Sequence, residues 1–170
     1  MQLLPLVAAA LVAASLAVGS RAAPAAEQGV VVSQSIEQTH TRSIEQTHTI
    51  DPAMLEQLPA VEEQLFFQTD RGVELATYKG PLLWSVLEHA GVLGGDQHAR
   101  MRQVIVVTGR DGYTAALALA EIDPQYESKK VLLAYRRNGH AMDGNAVRLV
   151  VTGDRYGGRN VSDVVRIDLH

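Results

Sequence analysis

The strongest structural signals lie in two segments, VIVVTGRDGYTAALALAEIDP (residues 104–124) and KKVLLAYRRNGHAMDGNAVRLVVTGDRYGGRNVSDVVRIDL (residues 129–169). Three short runs in them are rich in β-branched and other apolar residues: Val104 to Val107, Val131 to Ala134 and Arg148 to Val151. Pairs of turn-forming residues separate these runs, at Asp111-Gly112, Asn138-Gly139, Asp143-Gly144 and Gly157-Gly158. This spacing predicts strands joined by tight connections.

Upstream of these segments, the pattern predicts one hairpin and one helix. EEQLFFQTDRGVELATY (residues 62–78) alternates apolar and polar residues around a turn at Asp70-Arg71-Gly72, which predicts a hairpin with Leu65, Phe67, Val73 and Leu75 as its apolar positions. Apolar residues at positions 82, 83, 86, 87 and 90 form a helical stripe that ends at Gly91. Residues 114–120 fit either a strand or a helix. One strong helix among several strands favours an α+β domain, a mixed sheet with one or two helices.

The chain divides into three parts: residues 1–25, 26–60 and 61–170. The middle part is polar and contains a tandem repeat, SIEQTHTR (residues 35–42) followed by SIEQTHT (residues 43–49). One repeat this short cannot build a solenoid, so it predicts a lengthened linker or a slipped strand. The repeat duplicates a histidine, as His40 and His48, but two histidines without a third ligand make a weak metal site, and no metal is expected.

Residues 1–25 predict a signal peptide. An apolar, alanine-rich run of about 16 residues from Leu3 to Val18 is shorter than a membrane span and is followed by small residues that suit cleavage after Ala22 or Ala25. No twin-arginine pair or lipobox cysteine occurs, so the general secretory route is expected. We therefore expect a periplasmic or secreted protein without a stable membrane span after signal removal.

The composition narrows the function classes further. The net charge is −4 with acidic and basic residues interspersed, so nucleic acid is not expected as a partner. The chain contains no cysteine, which removes disulfides and all thiolate chemistry. No G-x-S-x-G motif occurs and no glycine-rich phosphate loop follows a strand, so neither a serine hydrolase nor a phosphate-loop enzyme is indicated.

The order of five motifs resembles a known family. These motifs are DGY (111–113), LALAEID (117–123), VLLAYRRNG (131–139), AVRLVV (146–151) and GGRNV with VVRI (157–161 and 164–167). Together they resemble the C-terminal half of the molybdopterin-binding domain of the sulfite oxidase family, and in particular its small exported members. The resemblance covers about residues 64–170 and implies the mixed-sheet fold of that family.

The resemblance also says what this chain lacks. In that family a cysteine thiolate ligates molybdenum, and the half of the domain that supplies it has no counterpart here. Molybdenum is therefore not expected, and no catalytic residue is assigned. Tyr113 matches the family's active-site tyrosine, and Arg159 matches the arginine of its Gly-x-Arg-x-Val-Lys-Trp loop. Ser162 and Asp163 stand where that loop has lysine and tryptophan, which favours a small unphosphorylated pterin over a phosphorylated cofactor.

Pterin recognition needs a flat slot, an acceptor for the ring's N–H groups and donors for its oxo group. The candidate acceptors are Asp111 and Asp154, the candidate donors or stacking groups are Arg110, Arg155 and Arg159, and the candidate ring covers are Tyr113 and Trp84. Each also has a purely structural interpretation, because Asp111 and Asp154 are ordinary turn residues and Trp84 could pack against a loop. Arg148 is interpreted as part of an internal ion pair or as a ligand contact, and Arg136-Arg137 and His140 as a solvated hairpin end.

Three hypotheses follow. The first is an exported, non-catalytic domain that binds a pterin or molybdopterin-like molecule and reports to a membrane sensor protein, a role that the family resemblance suggests. The second is an accessory subunit or degenerate relative of a molybdopterin-dependent oxidoreductase. The third is a structural domain whose pocket has decayed.

Overall fold

A computed structural model describes residues 29–36 and 44–170, so the predicted signal peptide and His40 lie outside the described residues. The helices are α1 (Pro52–Leu55), α2 (Leu83–His89), α3 (Gln97–Arg100) and α4 (Leu119–Ile122). The strands are β1 (Val30–Ile36), β2 (Ile44–Ile50), β3 (Ala60–Thr69), β4 (Gly72–Pro81), β5 (Val104–Gly109), β6 (Thr114–Ala118), β7 (Val131–Ala134), β8 (Arg136–Arg137), β9 (His140–Ala141), β10 (Arg148–Val151) and β11 (Val164–Leu169). Strands with few short helices confirm the predicted α+β class. None of the helices in this part of the chain is long and apolar enough to cross a membrane.

The antiparallel ribbon of β7 and β10 forms the middle of the molecule. Val131 and Leu133 of β7 belong to the main hydrophobic core, whereas Leu132 and Ala134 belong to a second core. Neighbouring strand residues point to opposite faces, so apolar layers cover the ribbon on both sides. This explains why the sequence of β7 is continuously apolar, and it confirms the strands predicted at residues 131–134 and 148–151.

The main core lies between this ribbon, α2 and a five-stranded sheet of order β2-β1-β11-β5-β6. In that sheet β1 runs parallel to β11, and the other neighbours are antiparallel. Val30, Val32 and Ile50 are buried in the main core. The sequence analysis placed residues 26–60 outside the domain. In the structure, β1 and β2 of this segment are strands of the domain's largest sheet. The second copy of the tandem repeat supplies most of β2.

The second core lies between the ribbon and the predicted hairpin, which forms as β3 and β4. Leu65 and Phe67 are buried as expected, but Val73 and Leu75 are each 62% exposed, so the prediction for β4 was wrong. The connection has two residues, Asp70 and Arg71, instead of the three predicted. A shift of one residue moves every side chain of a strand to the other face. Ala76 and Tyr78 are buried instead.

The remaining elements agree with the sequence or resolve its ambiguity. The predicted helix forms as α2, with Leu83, Val86 and Leu87 buried. Residues 114–120, where the pattern fitted both structures, form the strand β6 and the start of the short helix α4, which ends at Ile122. The Asn138-Gly139 turn joins β8 to β9, and both residues have positive φ (51° and 80°), as a two-residue hairpin turn requires.

Candidate functional site

The loop of residues 154–160, which follows β10, organises the candidate site. The backbone N–H of Gln68 on β3 donates to the carbonyl of Arg155 (3.0 Å), and that of Asn160 donates to Gly157 (3.0 Å). Gly157 lies on the buried ring of Phe67, where a Cβ atom would come within 2.8 Å of the ring. Only glycine fits this close approach, so the Gly157-Gly158 pair of the sequence allows the loop to pack against the hairpin.

An open groove of about 660 Å³ lies between this loop, the hairpin tip and the loop that follows β5. We call it the tyrosine groove. Its lining residues are Gln68, Thr69, Asp70, Tyr113, Tyr156, Gly157, Gly158 and Asn160. The volume falls within the range of about 300–1,000 Å³ that is usual for small-molecule sites.

Two aromatic rings dominate the groove. Tyr113 is 49% exposed and Tyr156 is 58% exposed, so neither is a core residue. The Tyr113 hydroxyl donates to the carbonyl of Gly158 (2.6 Å), which ties the tyrosine of the Asp-Gly-Tyr motif to the 154–160 loop. The Arg155 guanidinium lies over the Tyr156 ring, 5.7 Å from its centroid. The groove therefore presents flat aromatic surface beside glycines that carry no side chain.

Asn160 adds a polar group that is only half used. Its Oδ1 atom accepts from the backbone N–H of Val151 (2.8 Å). The residue is only 9% exposed, and its Nδ2 atom is buried without a hydrogen-bond partner. Buried polar groups nearly always have a partner, so an amide in this position needs an explanation.

On the opposite side of the same loop, the charged side chains form hydrogen bonds and ion pairs with one another. Arg159 donates from Nε and Nη2 to the two carboxylate oxygens of Asp154 (2.7 Å each) and from Nη1 to Glu121 on α4 (2.9 Å). Lys129 adds a second cation, with Nζ 3.4 Å from Asp154. This network of four side chains, the Arg159 network, links the loop to α4 and to the segment before β7.

The electrostatics of the network follow from these contacts. The hydrogen bond from Arg159 lowers the pKa of the Asp154 carboxyl, and partial burial opposes this only in part. Partial burial acts to raise the pKa of Glu121, but the bonds from Arg159 and the Ala118 N–H outweigh it, so that pKa is also lowered. The hydrogen bond to Asp154 is the main reason why the pKa of Arg159 is raised. All three groups are therefore held in their charged forms.

The other predicted site residues are distributed around this region. The Arg110 Nε atom pairs with Asp163 (2.6 Å), and Asp111 accepts from the backbone N–H of Tyr113 (3.0 Å) in a tight turn. A separate depression of about 300 Å³ is lined by Arg110, Asp111, Ser162 and Asp163. Trp84 lies on α2 and packs, partly buried, against the main core. Of the predicted residues, Tyr113 therefore lines the tyrosine groove, and Arg155 lies over the ring of Tyr156, which also lines it. Arg159 and Asp154 belong to the Arg159 network.

Several groove residues were missed by the sequence analysis. Tyr156 precedes the Gly157-Gly158 pair and could have been found as an aromatic next to a flexible turn. Asp70 and Gln68 lie at the hairpin tip, where no local signal connects them to a loop almost ninety residues away. Asn160 lies in the GGRNV motif but was not among the candidate site residues, because nothing in the sequence shows that its amide is half used.

Arg148 forms the internal ion pair that was one of its two interpretations. Its Nη1 atom lies 3.0 Å from the Tyr78 hydroxyl and 3.5 Å from Glu74, which also pairs with Arg137. Burial, with the Glu74 hydrogen bond as the next cause, raises the pKa of Tyr78 to about 12. This cluster fastens β4 to β8 and β10, and it accounts for one of the two arginines at the predicted hairpin end.

The residues present lack the thiolate ligand that the family resemblance implies for molybdenum. The chain has no cysteine, so the soft thiolate ligand is missing. Within residues 29–36 and 44–170, no three His, Asp or Glu side chains are grouped as metal ligands would be. The groove does present two exposed tyrosine rings and the Asp70 carboxylate, which are groups that can stack on a flat ring or accept its hydrogen bonds.

A buried central ribbon, one mixed and one antiparallel outer sheet, and a groove formed by loops define an α+β domain with a sulfite-oxidase-like fold. A family model described as the oxidoreductase molybdopterin binding domain matches residues 40–170. The chain therefore belongs to this family, and the predicted resemblance is confirmed. Membership suggests a molybdopterin-related ligand.

A solved structure shows the same fold. The sulfane dehydrogenase SoxCD from Paracoccus pantotrophus matches with a TM-score of 0.64 and 17% sequence identity. The match covers 88% of this chain and 40% of that chain, so this chain spans less than half the length of its structural neighbour. No significant match is found among the curated proteins.

Proposed function

We propose that this chain is an exported, non-catalytic domain that binds a small unphosphorylated pterin in the tyrosine groove. The observation that carries this proposal is the composition of the groove, which combines two exposed tyrosine rings with a carboxylate. The tyrosine rings supply stacking surface, and Asp70 supplies an acceptor for the ring's amino group and N–H.

The charges of the groove support a neutral ligand. Asp70 is the charged residue among the described lining residues, and no lysine or arginine lines the groove. Arg159, the arginine that the family resemblance assigned to the ligand, uses all three of its guanidinium nitrogens in the Arg159 network. A phosphate group would therefore meet a carboxylate without a cation in the lining to offset it.

The absence of cysteine from the sequence supports the non-catalytic part of the proposal. Molybdenum in this family needs a thiolate, and this chain cannot supply one. The signal peptide predicted at residues 1–25 supports a location in the periplasm or outside the cell. A periplasmic carrier of this kind would act by presenting its ligand, or its ligand-bound shape, to a membrane sensor protein.

The test is a calorimetric titration of the purified protein with pterin, 6-hydroxymethylpterin and 6-hydroxymethylpterin phosphate. Thermal unfolding of the protein is also measured in the presence of each ligand. A ligand that binds only the folded state raises stability by about 2.7 kcal/mol at a hundred times its dissociation constant. We expect saturable binding of the first two ligands and weaker binding of the phosphate. Tyr113→Ala should weaken binding, whereas Tyr126→Ala, a matched change at an exposed tyrosine outside the groove, should not. Absence of binding by all three ligands contradicts the proposal.

A second function is favoured by a different surface. Phe66, Val73 and Leu75 share the outer face of the β3–β4 hairpin and are 62–68% exposed. An exposed apolar face suits an accessory subunit of a larger molybdopterin-dependent oxidoreductase. Stable co-purification with a larger subunit that contains cysteine, lost on Phe66→Ser and Leu75→Ser, would favour this function over the first.

A further inference from the structure

The outer face of the β3–β4 hairpin carries a regular pattern of side chains. Because side chains alternate along a strand, every second residue of each strand belongs to this face. The cross-strand pairs on it, from the turn towards the open end of the hairpin, are Gln68 with Val73, Phe66 with Leu75, Gln64 with Thr77, and Glu62 with Lys79. The part of the face near the turn is therefore apolar, and its far end carries one acidic and one basic residue.

The apolar part of the face is uncovered in the described part of the chain. Phe66 is 68% exposed, and Val73 and Leu75 are each 62% exposed. The inner face of the same hairpin is buried in the second core, through residues such as Leu65 and Phe67. Strands that are apolar on both faces are typical of sheets covered on both sides, and an exposed apolar patch with a polar rim is typical of a protein contact surface.

The charged end of the face is available to a partner. Glu62 and Lys79 are exposed and line an open depression of about 470 Å³. Neither side chain forms an ion pair within residues 29–36 and 44–170. A complementary partner would place a base opposite Glu62, an acid opposite Lys79, and an apolar surface between the charged end and the turn.

A second copy of this chain meets these requirements. Two sheets commonly stack face to face with their strands nearly aligned. With a two-fold axis along the hairpin, between β3 and β4, each side chain meets the residue type that is its own cross-strand partner. Glu62 then faces Lys79 of the second copy, and Phe66 faces Leu75 of the second copy. The symmetry makes each of these contacts twice, so the two charge contacts are both between opposite charges.

The other two-fold arrangement of the same face is disfavoured by charge. An axis across the strands, centred on Phe66, would reverse the direction of the second hairpin. Glu62 would then approach Asp70 of the second copy, and Lys79 would approach Arg71 of the second copy. Both contacts are between like charges, which repel. The charges of the face therefore favour parallel hairpins.

We propose that this chain forms a homodimer through the outer face of β3 and β4, with the two hairpins parallel. Fewer residues take part than the roughly 20–30 on each side of a standard interface, so the dimer should be weak, with a micromolar or higher dissociation constant. The proposed pterin function does not depend on this dimer. The accessory-subunit function does compete with it, because both use the same face.

Sedimentation equilibrium of the purified protein at about 1–500 µM measures the self-association. Phe66→Ser and Leu75→Ser should each weaken the dimer by roughly tenfold or more, because each removes an apolar contact that the symmetry makes twice. Met101→Ser, a matched change at a residue that is 51% exposed and lies outside the face, should leave the dimer unchanged. A protein that stays monomeric over this range overturns the inference, whether or not it co-purifies with a larger subunit.

An exchange of charges tests the direction of the hairpins. Glu62→Lys places two bases at each charge contact, and Lys79→Glu places two acids there. Each variant alone should associate roughly tenfold more weakly than the unsubstituted protein. An equal mixture of the two variants restores opposite charges at both contacts and should form heterodimers about as tightly as the unsubstituted protein forms dimers. Native mass spectrometry with one variant labelled with ¹⁵N distinguishes the heterodimer from both homodimers.

A control pair separates the contact from the overall charge. Glu88→Lys and Arg102→Glu change the net charge by the same amounts at exposed positions outside the face. Their equal mixture should show no preference for the heterodimer. An equal preference in the control pair would assign the effect to net charge and overturn the inference. A mixture of Glu62→Lys and Lys79→Glu that associates no better than either variant alone also overturns it, because Glu62 then does not face Lys79 of the second copy.

Discussion

The two sides of the 154–160 loop differ in how their polar groups are used. On one side the Arg159 network satisfies every nitrogen of a guanidinium and both oxygens of the Asp154 carboxylate. On the other side two tyrosine rings are about half exposed and the Asn160 amide has an unused donor. Adjacent residues, Arg159 and Asn160, belong to opposite sides. A loop of seven residues thus carries a paired side, which can fix its position, and an unpaired side, which lines the proposed ligand groove.

The largest expected effect comes from removing the support beneath both sides. Phe67 is 3% exposed and lies under Gly157, so Phe67→Ala should lower the free energy of unfolding by about 3–5 kcal/mol. Its neighbour Phe66 is 68% exposed, and Phe66→Ala should change that free energy by no more than about 0.5 kcal/mol. Chemical denaturation of both variants checks this prediction. Equal effects would show that Phe67 does not support the loop.

The next effect isolates the paired side. Arg159→Ala leaves Asp154 and Glu121 without their common donor and should lower the free energy of unfolding by about 2 kcal/mol, allowing for partial exposure of the network. Arg159→Lys keeps the charge but cannot bond both oxygens of Asp154, so an intermediate loss is expected. Denaturation measures both changes. A loss of pterin affinity without any loss of stability would instead assign Arg159 to the ligand.

The same network predicts a pH dependence. The folded pKa values of Asp154 and Glu121 lie below their ordinary values of 3.8 and 4.5. The stability that these carboxylates contribute is therefore present above pH 4.5 and is lost as the pH falls through their lowered folded values. Thermal unfolding midpoints should drop on acidification below pH 4.5, and less steeply in Arg159→Gln. Parallel curves for the two proteins would argue against the network as the cause.

The smallest effect on stability, and a specific one on binding, is expected from the open side. Tyr156→Ala should leave the free energy of unfolding within about 0.5 kcal/mol of its original value, because the ring is 58% exposed. Pterin affinity should fall roughly tenfold, since an aromatic pair contributes about 0.5–1.5 kcal/mol beyond its area. Tyr156→Phe keeps the ring and should bind normally. Calorimetric titration of both variants decides whether the ring stacks on the ligand.

Local patterns were sufficient to predict much of the fold. The apolar runs of β5, β7 and β10 and the stripe of α2 were visible because each element carries its own periodicity. The exposed face of β4 was not predicted correctly. The length of the connection between β3 and β4 determines whether the side chains of Val73 and Leu75 face the core or the solvent. The place of β1 beside β11 was also invisible, since parallel pairing of distant segments leaves no local signal.

The candidate site was less accessible to sequence reasoning. Tyr113 was found through a family resemblance, and the structure places it in the groove. Arg159 was found in the same way, but its guanidinium points into a network whose other members, Glu121 and Lys129, come from elsewhere in the chain. The unused donor of Asn160 depends on a hydrogen bond to Val151 that only the folded backbone creates.

The parallel pairing of β1 with β11 has a consequence for how the molecule is made. Ser33 and Asp168, which are hydrogen-bonded to each other, lie 135 positions apart in the chain. The five-stranded sheet therefore cannot close until the ribosome has completed β11, and contacts between such distant segments form slowly. During synthesis the main core lacks one of its walls. We therefore expect a chain of this topology to complete its main core only after synthesis has ended.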